Sequence, residues 1–127
     1  MALILIIDDD EGLRRMATKA IEKAGHTVIC AENGREGVEM FTAHRPALVI
    51  TDILMPEKEG IETIREIYAA APETCIIAMS GGGARQDMSF LKFSEKLGAG
   101  AVMEKPFRPA DLVATVERLL KDAAEKD

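Results

Sequence analysis

Five short apolar runs, each followed by a segment with helical spacing, are the feature that most constrains the fold of this chain. The runs are rich in Ile, Val and Leu without polar–apolar alternation, which is typical of strands that a parallel sheet buries on both faces. They cover residues 3–7, 27–31, 47–51, 75–79 and 101–103. Because strand and helix alternate five times, the sequence predicts an α/β sandwich with a parallel sheet and right-handed crossovers.

The segments that follow these runs repeat apolar residues at intervals of three and four, as helices that bury one face do. Gly25 and Gly98 are placed to end the first and fourth helices, and Pro109 is placed near the start of the fifth. The repeats fall in residues 13–24, 38–41, 61–68, 88–91 and 112–120.

The chain has 127 residues, of which 47% are hydrophobic. That is enough for one compact domain with its own core and too little for two. We therefore expect a single domain over residues 1–127, with a core from about residue 3 to residue 120 and a short C-terminal tail.

The net charge and the N-terminal sequence argue against nucleic acid and membrane as partners. A net charge of −6 argues against direct nucleic-acid binding, which needs a basic face to contact phosphates. The apolar run at residues 3–7 leads into four acidic residues without a preceding basic segment, and it is too short for a signal peptide or a membrane span. We expect a cytoplasmic protein that makes no contact with the membrane.

Polar side chains that could bind a ligand or take part in a reaction come directly after four of the five predicted strands. Asp8 and Asp9 follow the first strand, Asp52 the third, Ser80 the fourth and Lys105 the fifth, one residue further on. Ligands of open α/β sheets bind beyond the carboxyl ends of the strands. The sequence therefore predicts one shared site for these five residues, whereas Asp10 and Glu11 are better explained as the N-terminal cap and first turn of a helix.

This set of side chains suits phosphoryl transfer. Clustered carboxylates repel one another unless a cation lies among them, and oxygen ligands of this kind suit Mg²⁺. A carboxylate can attack phosphorus to form an acyl phosphate. Lys105 could then neutralise charge on the transferring oxygens, and Ser80 could donate a hydrogen bond to one of them.

The motifs resemble those of bacterial two-component response-regulator receiver domains, the CheY-like superfamily. The resemblance runs from residue 3 to about residue 120, and its ordered set of motifs is highly specific. The motifs are Ile6-Ile7-Asp8-Asp9-Asp10, Asp52-Ile53-Leu54-Met55-Pro56 with Gly60, Ser80, and Lys105-Pro106-Phe107. The resemblance implies a stand-alone receiver with a flavodoxin-like (βα)5 fold, a three-layer sandwich whose parallel sheet has strand order 2-1-3-4-5.

The resemblance also implies roles for the site residues. Asp52 would be the phosphoacceptor. Asp9, Asp52 and the backbone carbonyl of Leu54 would bind Mg²⁺ (or Mn²⁺ in its place) directly, and Asp8 would contribute to the metal site mainly through a bound water. Ser80 would move toward the phosphoryl group and Lys105 would pair with it. The peptide bond between Lys105 and Pro106 would be cis.

The partners implied by the resemblance are a sensor histidine kinase or a histidine phosphotransfer protein. The output would be docking of a downstream protein, or homodimer formation, through the face made by the fourth helix, the fifth strand and the fifth helix. Such a protein is a signalling switch rather than an enzyme, since it catalyses only its own phosphotransfer and a slow autodephosphorylation.

The path by which the signal leaves the site departs from the usual family pattern. Val102 lies at the strand position where the family often has Tyr or Phe, so the predicted switch positions are Ser80 and Val102, without an aromatic ring. The span from Ser80 to Lys105 is a few residues longer than usual, and we assign the surplus to residues 81–85 and the start of the fourth helix. These extra residues predict a mobile loop beside the site.

A second departure concerns the lifetime of the phosphorylated state. The residues two positions beyond Asp52 and Ser80 are Leu54 and Gly82, and neither has a polar side chain that could position a hydrolytic water. This predicts slow autodephosphorylation.

A haloacid-dehalogenase-like phosphatase is an alternative interpretation. Asp8 would be its nucleophile within a D-x-D motif after the first strand, with Ser80 and Lys105 following in suitable order. That interpretation leaves Asp52 unexplained. The discriminating observation is which aspartate becomes phosphorylated.

A pseudo-receiver, a binding module that is never phosphorylated, is a further alternative. It would be expected to lack one or more of the five site residues, all of which are present.

Overall fold

The computed structural model describes residues 1–53, 59–80 and 98–125. Its centre is a five-stranded sheet in which every neighbouring pair is parallel and the strand order is β2-β1-β3-β4-β5. The strands are β1 (Leu3–Ile7), β2 (Thr27–Ala31), β3 (Leu48–Asp52), β4 (Cys75–Ser80) and β5 (Ala101–Glu104). The parallel sheet and its predicted order are confirmed.

Four helices are present in the described ranges, namely α1 (Glu11–Lys23), α2 (Gly34–His44), α3 (Glu59–Ala70) and α4 (Pro109–Glu125). The fourth helix of the sequence analysis and the loop assigned to residues 81–85 lie outside these ranges. The fifth predicted helix is α4, and it continues to Glu125, so residues 121–125 of the expected C-terminal tail are helical.

The ends of the helices follow from local chemistry. Asp10 caps α1, and its side chain accepts hydrogen bonds from the N–H groups of Gly12 and Leu13. Gly25 follows the last turn of α1 with φ 104°, a left-handed conformation that glycine adopts without steric cost. This confirms the predicted glycine stop.

Apolar residues of the strands alternate between two buried clusters, one on each face of the sheet. Leu5 and Ile7 of β1 pack with α2 and α3, whereas Ile4 and Ile6 pack with α1 and α4. The helices contribute Phe41, Ile61, Ile64 and Ile67 to the first cluster and Ala17, Ile21, Leu112 and Val116 to the second. The expected three-layer sandwich is confirmed.

Three strands extend one residue further into polar sequence than the apolar runs indicated. Asp52 pairs in register with Met79, and Ser80 pairs with Glu104. Asp52 and Ser80 are therefore the last residues of β3 and β4, where the hydrogen bonds of the sheet fix their backbones, rather than the first residues of loops.

Candidate functional site

The three aspartates of the predicted site converge at the carboxyl edge of the sheet. Asp8 comes directly after β1 and is completely buried, Asp52 at the end of β3 is also buried, and Asp9 is exposed. One carboxylate oxygen from each of the three lies within 4.8 Å of the other two. The sequence-based expectation of a single acidic cluster is confirmed by this geometry.

Lys105 lies between the two buried carboxylates. Its Nζ donates hydrogen bonds to Oδ2 of Asp8 at 2.7 Å and to Oδ2 of Asp52 at 3.0 Å. The backbone N–H of Lys105 donates to the carbonyl of Ser80 at 2.8 Å, which holds the start of the β5–α4 connection against β4. The peptide bond between Lys105 and Pro106 is cis, the isomer that the resemblance implied.

The ionisation of this cluster reflects its burial. Burial raises the pKa of the Asp8 carboxyl group above its ordinary value of 3.8, and the hydrogen bonds from Lys105 and from the N–H of Asp10 only partly oppose this. Burial lowers the pKa of Lys105, but hydrogen bonds and charge from Asp8 and Asp52 outweigh it, so the net pKa is raised. Lys105 is therefore a protonated cation between the two buried carboxylates.

The donor set fits a hard divalent cation. The cluster contains three carboxylates, and one ammonium group contacts two of them. Carboxylates are thus in excess over cations, and their oxygen atoms are close enough to share one ion. Leu54, whose backbone carbonyl was predicted as a further ligand, lies outside the described residues.

The turn from β1 to α1 is held together by its own acidic residues. The N–H of Asp10 donates to Oδ1 of Asp8 at 2.8 Å, while the Asp10 side chain caps α1. Glu11 forms an ion pair at 2.9 Å with Arg15, one turn further along the helix. The interpretation of Asp10 as a helix cap is confirmed, and Glu11 occupies the first turn as expected.

Arg14 is a residue of this site that sequence reasoning missed. Its Nη1 donates to the backbone carbonyl of Asp8 at 2.7 Å, although Arg14 belongs to the next element, α1. The available sequence signal was a basic residue one turn after an acidic loop, which is a common pattern on exposed helices.

The two predicted switch residues lie on neighbouring strands. Ser80 is buried at the end of β4. Val102 in β5 is partly buried and packs against the cluster formed with α2 and α3. Val102 pairs in register with Ala78, two residues before Ser80 on β4.

Among the described ranges, no helix has both the length and the apolar character needed to cross a membrane.

Comparison with known proteins gives matches along nearly the whole chain. A family model described as the response regulator receiver domain matches residues 4–117. The response regulator receiver protein CpdR of Brucella abortus is 35% identical over 120 residues, which cover 94% of this chain and 98% of the relative. The chemotaxis protein CheY of Thermotoga maritima is 37% identical over 119 residues, with coverage of 93% and 97%.

Solved structures agree with these sequence matches. A CheY-like response regulator receiver domain protein from Methanospirillum hungatei superposes with a TM-score of 0.92 at 26% identity, and the match covers 100% of this chain and 99% of that one. The similarity therefore includes the fold as well as the sequence, over the full length of this chain.

Proposed function

Because the chain belongs to the response regulator receiver domain family of two-component signalling, we propose that it is a phosphorylation switch with Asp52 as its phosphoacceptor. The observation that carries this proposal is the position of Asp52. Its buried carboxylate ends the central strand β3, accepts a hydrogen bond from Lys105 and lies within reach of Asp8 and Asp9.

The chemistry begins with an oxygen of the Asp52 carboxylate, which attacks the phosphorus of a phosphohistidine. A new O–P bond forms while the N–P bond breaks, and the histidine nitrogen leaves with the bonding electron pair. The product is an acyl phosphate on Asp52. Since the carboxylate has no proton to lose, the site requires no general base for this step.

Charge is the main obstacle, because an anionic phosphoryl group must approach three carboxylates. Asp8, Asp9 and Asp52 would hold Mg²⁺ or Mn²⁺, with the carbonyl of Leu54 as the further expected ligand. The ion, when bound, supplies positive charge to the phosphoryl oxygens. Lys105 supplies a second positive charge from a side chain that already contacts Asp52, and Ser80 donates a hydrogen bond to a phosphoryl oxygen.

The conformational change that follows phosphorylation would pass from Ser80 through β4 and β5 to the surface that includes α4. A sensor histidine kinase or a histidine phosphotransfer protein supplies the phosphoryl group. The signal passes to a downstream protein or to a second copy of this chain. That partner docks on the face made by the fourth predicted helix, β5 and α4. We propose no nucleic-acid contact, a cytoplasmic location and no catalysis beyond phosphotransfer to itself and slow autodephosphorylation.

The proposal is tested by mass spectrometry of the intact chain after incubation with acetyl phosphate. The chain should gain the mass of one phosphoryl group in the presence of Mg²⁺ and none in EDTA. Asp52→Asn should gain nothing under either condition, whereas Asp122→Asn, which neutralises an exposed acid of α4, should behave as the unaltered chain. Equal incorporation in Asp52→Asn and in the unaltered chain would overturn the proposal.

A further inference from the structure

Arg14 makes an unusual contact for a residue within a helix, because its side chain turns back to the strand before it. Nη1 donates to the carbonyl oxygen of Asp8 at 2.7 Å, a short distance that is typical of a charge-assisted hydrogen bond. The side chain of Arg14 is only 16% exposed. Its neighbour Arg15 is 77% exposed and forms a surface ion pair with Glu11, so the two arginines have different environments.

The carbonyl that Arg14 contacts belongs to the peptide unit between Asp8 and Asp9. A peptide unit is planar, so its orientation helps to set the directions in which the side chains on either side of it leave the backbone. The N–H of Asp8 is also fixed, since it donates to the carbonyl of Ala31 at 3.1 Å. Arg14 therefore fixes the part of the backbone that joins two of the three clustered carboxylates.

The two carboxylates depend on this peptide unit to different degrees. Asp8 is held independently, because its side chain accepts hydrogen bonds from Lys105 and from the N–H of Asp10. The exposed side chain of Asp9 makes no hydrogen bond or ion pair with residues 1–53, 59–80 or 98–125. The direction of the Asp9 carboxylate thus depends on its backbone rather than on contacts of its side chain. The contact from Arg14 restrains that backbone on the side of the Asp8–Asp9 peptide unit, and the hydrogen bond from the N–H of Asp10 to Asp8 restrains it on the other side.

The other end of the guanidinium group faces the next loop. Nη2 of Arg14 lies 3.8 Å from Oε1 of Glu32, directly after β2, and Glu32 is 70% exposed. The backbone N–H of Arg14 donates to the carbonyl of Asp10 at 3.1 Å. Arg14 consequently links three segments, which are the end of β1, the first turn of α1 and the loop after β2.

We propose that Arg14 is a positioning residue for the metal site, which sets the direction of the Asp9 carboxylate through the Asp8–Asp9 peptide unit. The inference rests on the proposed function, since it assumes that Asp8, Asp9 and Asp52 bind Mg²⁺. Arg14 itself touches neither the ion nor the phosphoryl group. Its effect is to keep the ligands in place before the ion arrives.

The test is a calorimetric titration of the full chain with MgCl₂, in parallel for the unaltered chain, Arg14→Ala, Arg14→Lys and Arg15→Ala. Loss of a group that orients metal ligands commonly weakens metal affinity by about 10-fold or more, and we expect Arg14→Ala to lose about 10-fold. Arg15→Ala removes the same charge from the next residue and should change the affinity by less than about twofold. Arg14→Lys keeps one donor and should lie between these values.

A kinetic measurement separates positioning from general damage to the fold. The rate of phosphorylation by acetyl phosphate should reach nearly the same limit in Arg14→Ala as in the unaltered chain, but at a Mg²⁺ concentration raised by about 10-fold. If Arg14→Ala does not fold in EDTA, Arg14→Lys and Arg14→Gln serve instead, and both should bind Mg²⁺ more weakly than Arg15→Ala.

The outcomes distinguish this inference from the proposal beneath it. If the unaltered chain binds Mg²⁺ and Arg14→Ala matches Arg15→Ala in affinity, the role of Arg14 is overturned while the proposed function stands. If the limiting rate falls and the Mg²⁺ dependence is unchanged, positioning is likewise overturned. If the unaltered chain binds no Mg²⁺, both are overturned.

Discussion

Ile6 lies on β1, and Asp8 follows two residues later, just beyond the end of the strand. Both side chains are completely buried. Ile6 belongs to an apolar cluster between the sheet and two helices, whereas Asp8 lies at the carboxyl edge of the sheet with Lys105 and Asp52. Burial favours folding in the first case, by about 1.5–3 kcal/mol for a side chain of this size. In the second case burial disfavours the ionised carboxylate and raises the pKa of Asp8.

Equal burial thus serves two purposes in this molecule. The interior of the sheet stabilises the fold, and the edge maintains a concentration of negative charge at a cost in stability. Such a cost is expected where a fixed arrangement of charges is needed for binding or chemistry. One substitution in the interior and two at the edge test this contrast.

The largest effect is expected in the interior, from Ile50→Ala in β3. Ile50 is completely buried in the cluster with α1 and α4, so its truncation removes apolar contacts and leaves a cavity. The free energy of unfolding, measured with urea, should fall by about 3–4 kcal/mol. The loss should be the same in EDTA and in saturating Mg²⁺, because Ile50 has no charge. A loss below about 1 kcal/mol would mean that the interior is not closely packed.

A smaller effect of the same sign is expected at the edge from Lys105→Met. This change keeps most of the side-chain volume but removes the cation that hydrogen-bonds to Asp8 and Asp52. The free energy of unfolding in EDTA should fall by about 2 kcal/mol, since uncompensated buried carboxylates remain.

The dependence on Mg²⁺ is what makes the Lys105 result specific. The loss should be smaller in saturating Mg²⁺, because the ion replaces part of the missing positive charge. Lys121→Met, which removes an exposed lysine of α4, is the matched control and should have little effect. A loss for Lys105→Met that is identical with and without Mg²⁺ would contradict a metal site between these carboxylates.

The smallest effect, with the opposite sign, is expected from Asp8→Asn. Neutralising this buried carboxylate relieves the desolvation cost and its repulsion with Asp52. The free energy of unfolding in EDTA at neutral pH should rise by about 1 kcal/mol, and the stabilisation by Mg²⁺ should shrink. Asp122→Asn provides the exposed control. A lower stability for Asp8→Asn in EDTA would show that the edge favours folding as the interior does.

The gain from Asp8→Asn should depend on pH in a defined direction. The pKa of Asp8 is raised above 3.8 in the folded chain, so the folded state holds this proton more tightly than the unfolded state does. The resulting stabilisation is fully present below pH 3.8 and is lost as the pH rises through the raised folded value. The advantage of Asp8→Asn should therefore grow with pH across that window and remain constant above it.

Much of the fold could be predicted from the sequence because apolar runs define buried strands. The bounds of β1 and β2 were predicted to the residue. The ends of β3, β4 and β5 were each predicted one residue too early, since the strands include Asp52, Ser80 and Glu104. Hydropathy marks where a strand becomes polar, but pairing with the neighbouring strands decides where it ends.

The membership of the acidic cluster was also predictable, since parallel strands bring their carboxyl ends to one edge. The partners of Lys105 were less so. It was expected to meet a phosphoryl group, and in this structure it contacts Asp8 and Asp52. The contact from Arg14 to the carbonyl of Asp8 could not be predicted, because a long side chain can reach many groups and only the folded chain shows which one it meets.

Borohydride reduction can establish the identity of the phosphoacceptor directly. The chain is incubated with acetyl phosphate and Mg²⁺, the acyl phosphate is reduced, and the modified residue is located by peptide mass spectrometry. We predict modification at Asp52, the residue that ends β3 beside Lys105. Modification at Asp8 would instead support the phosphatase interpretation and contradict the account.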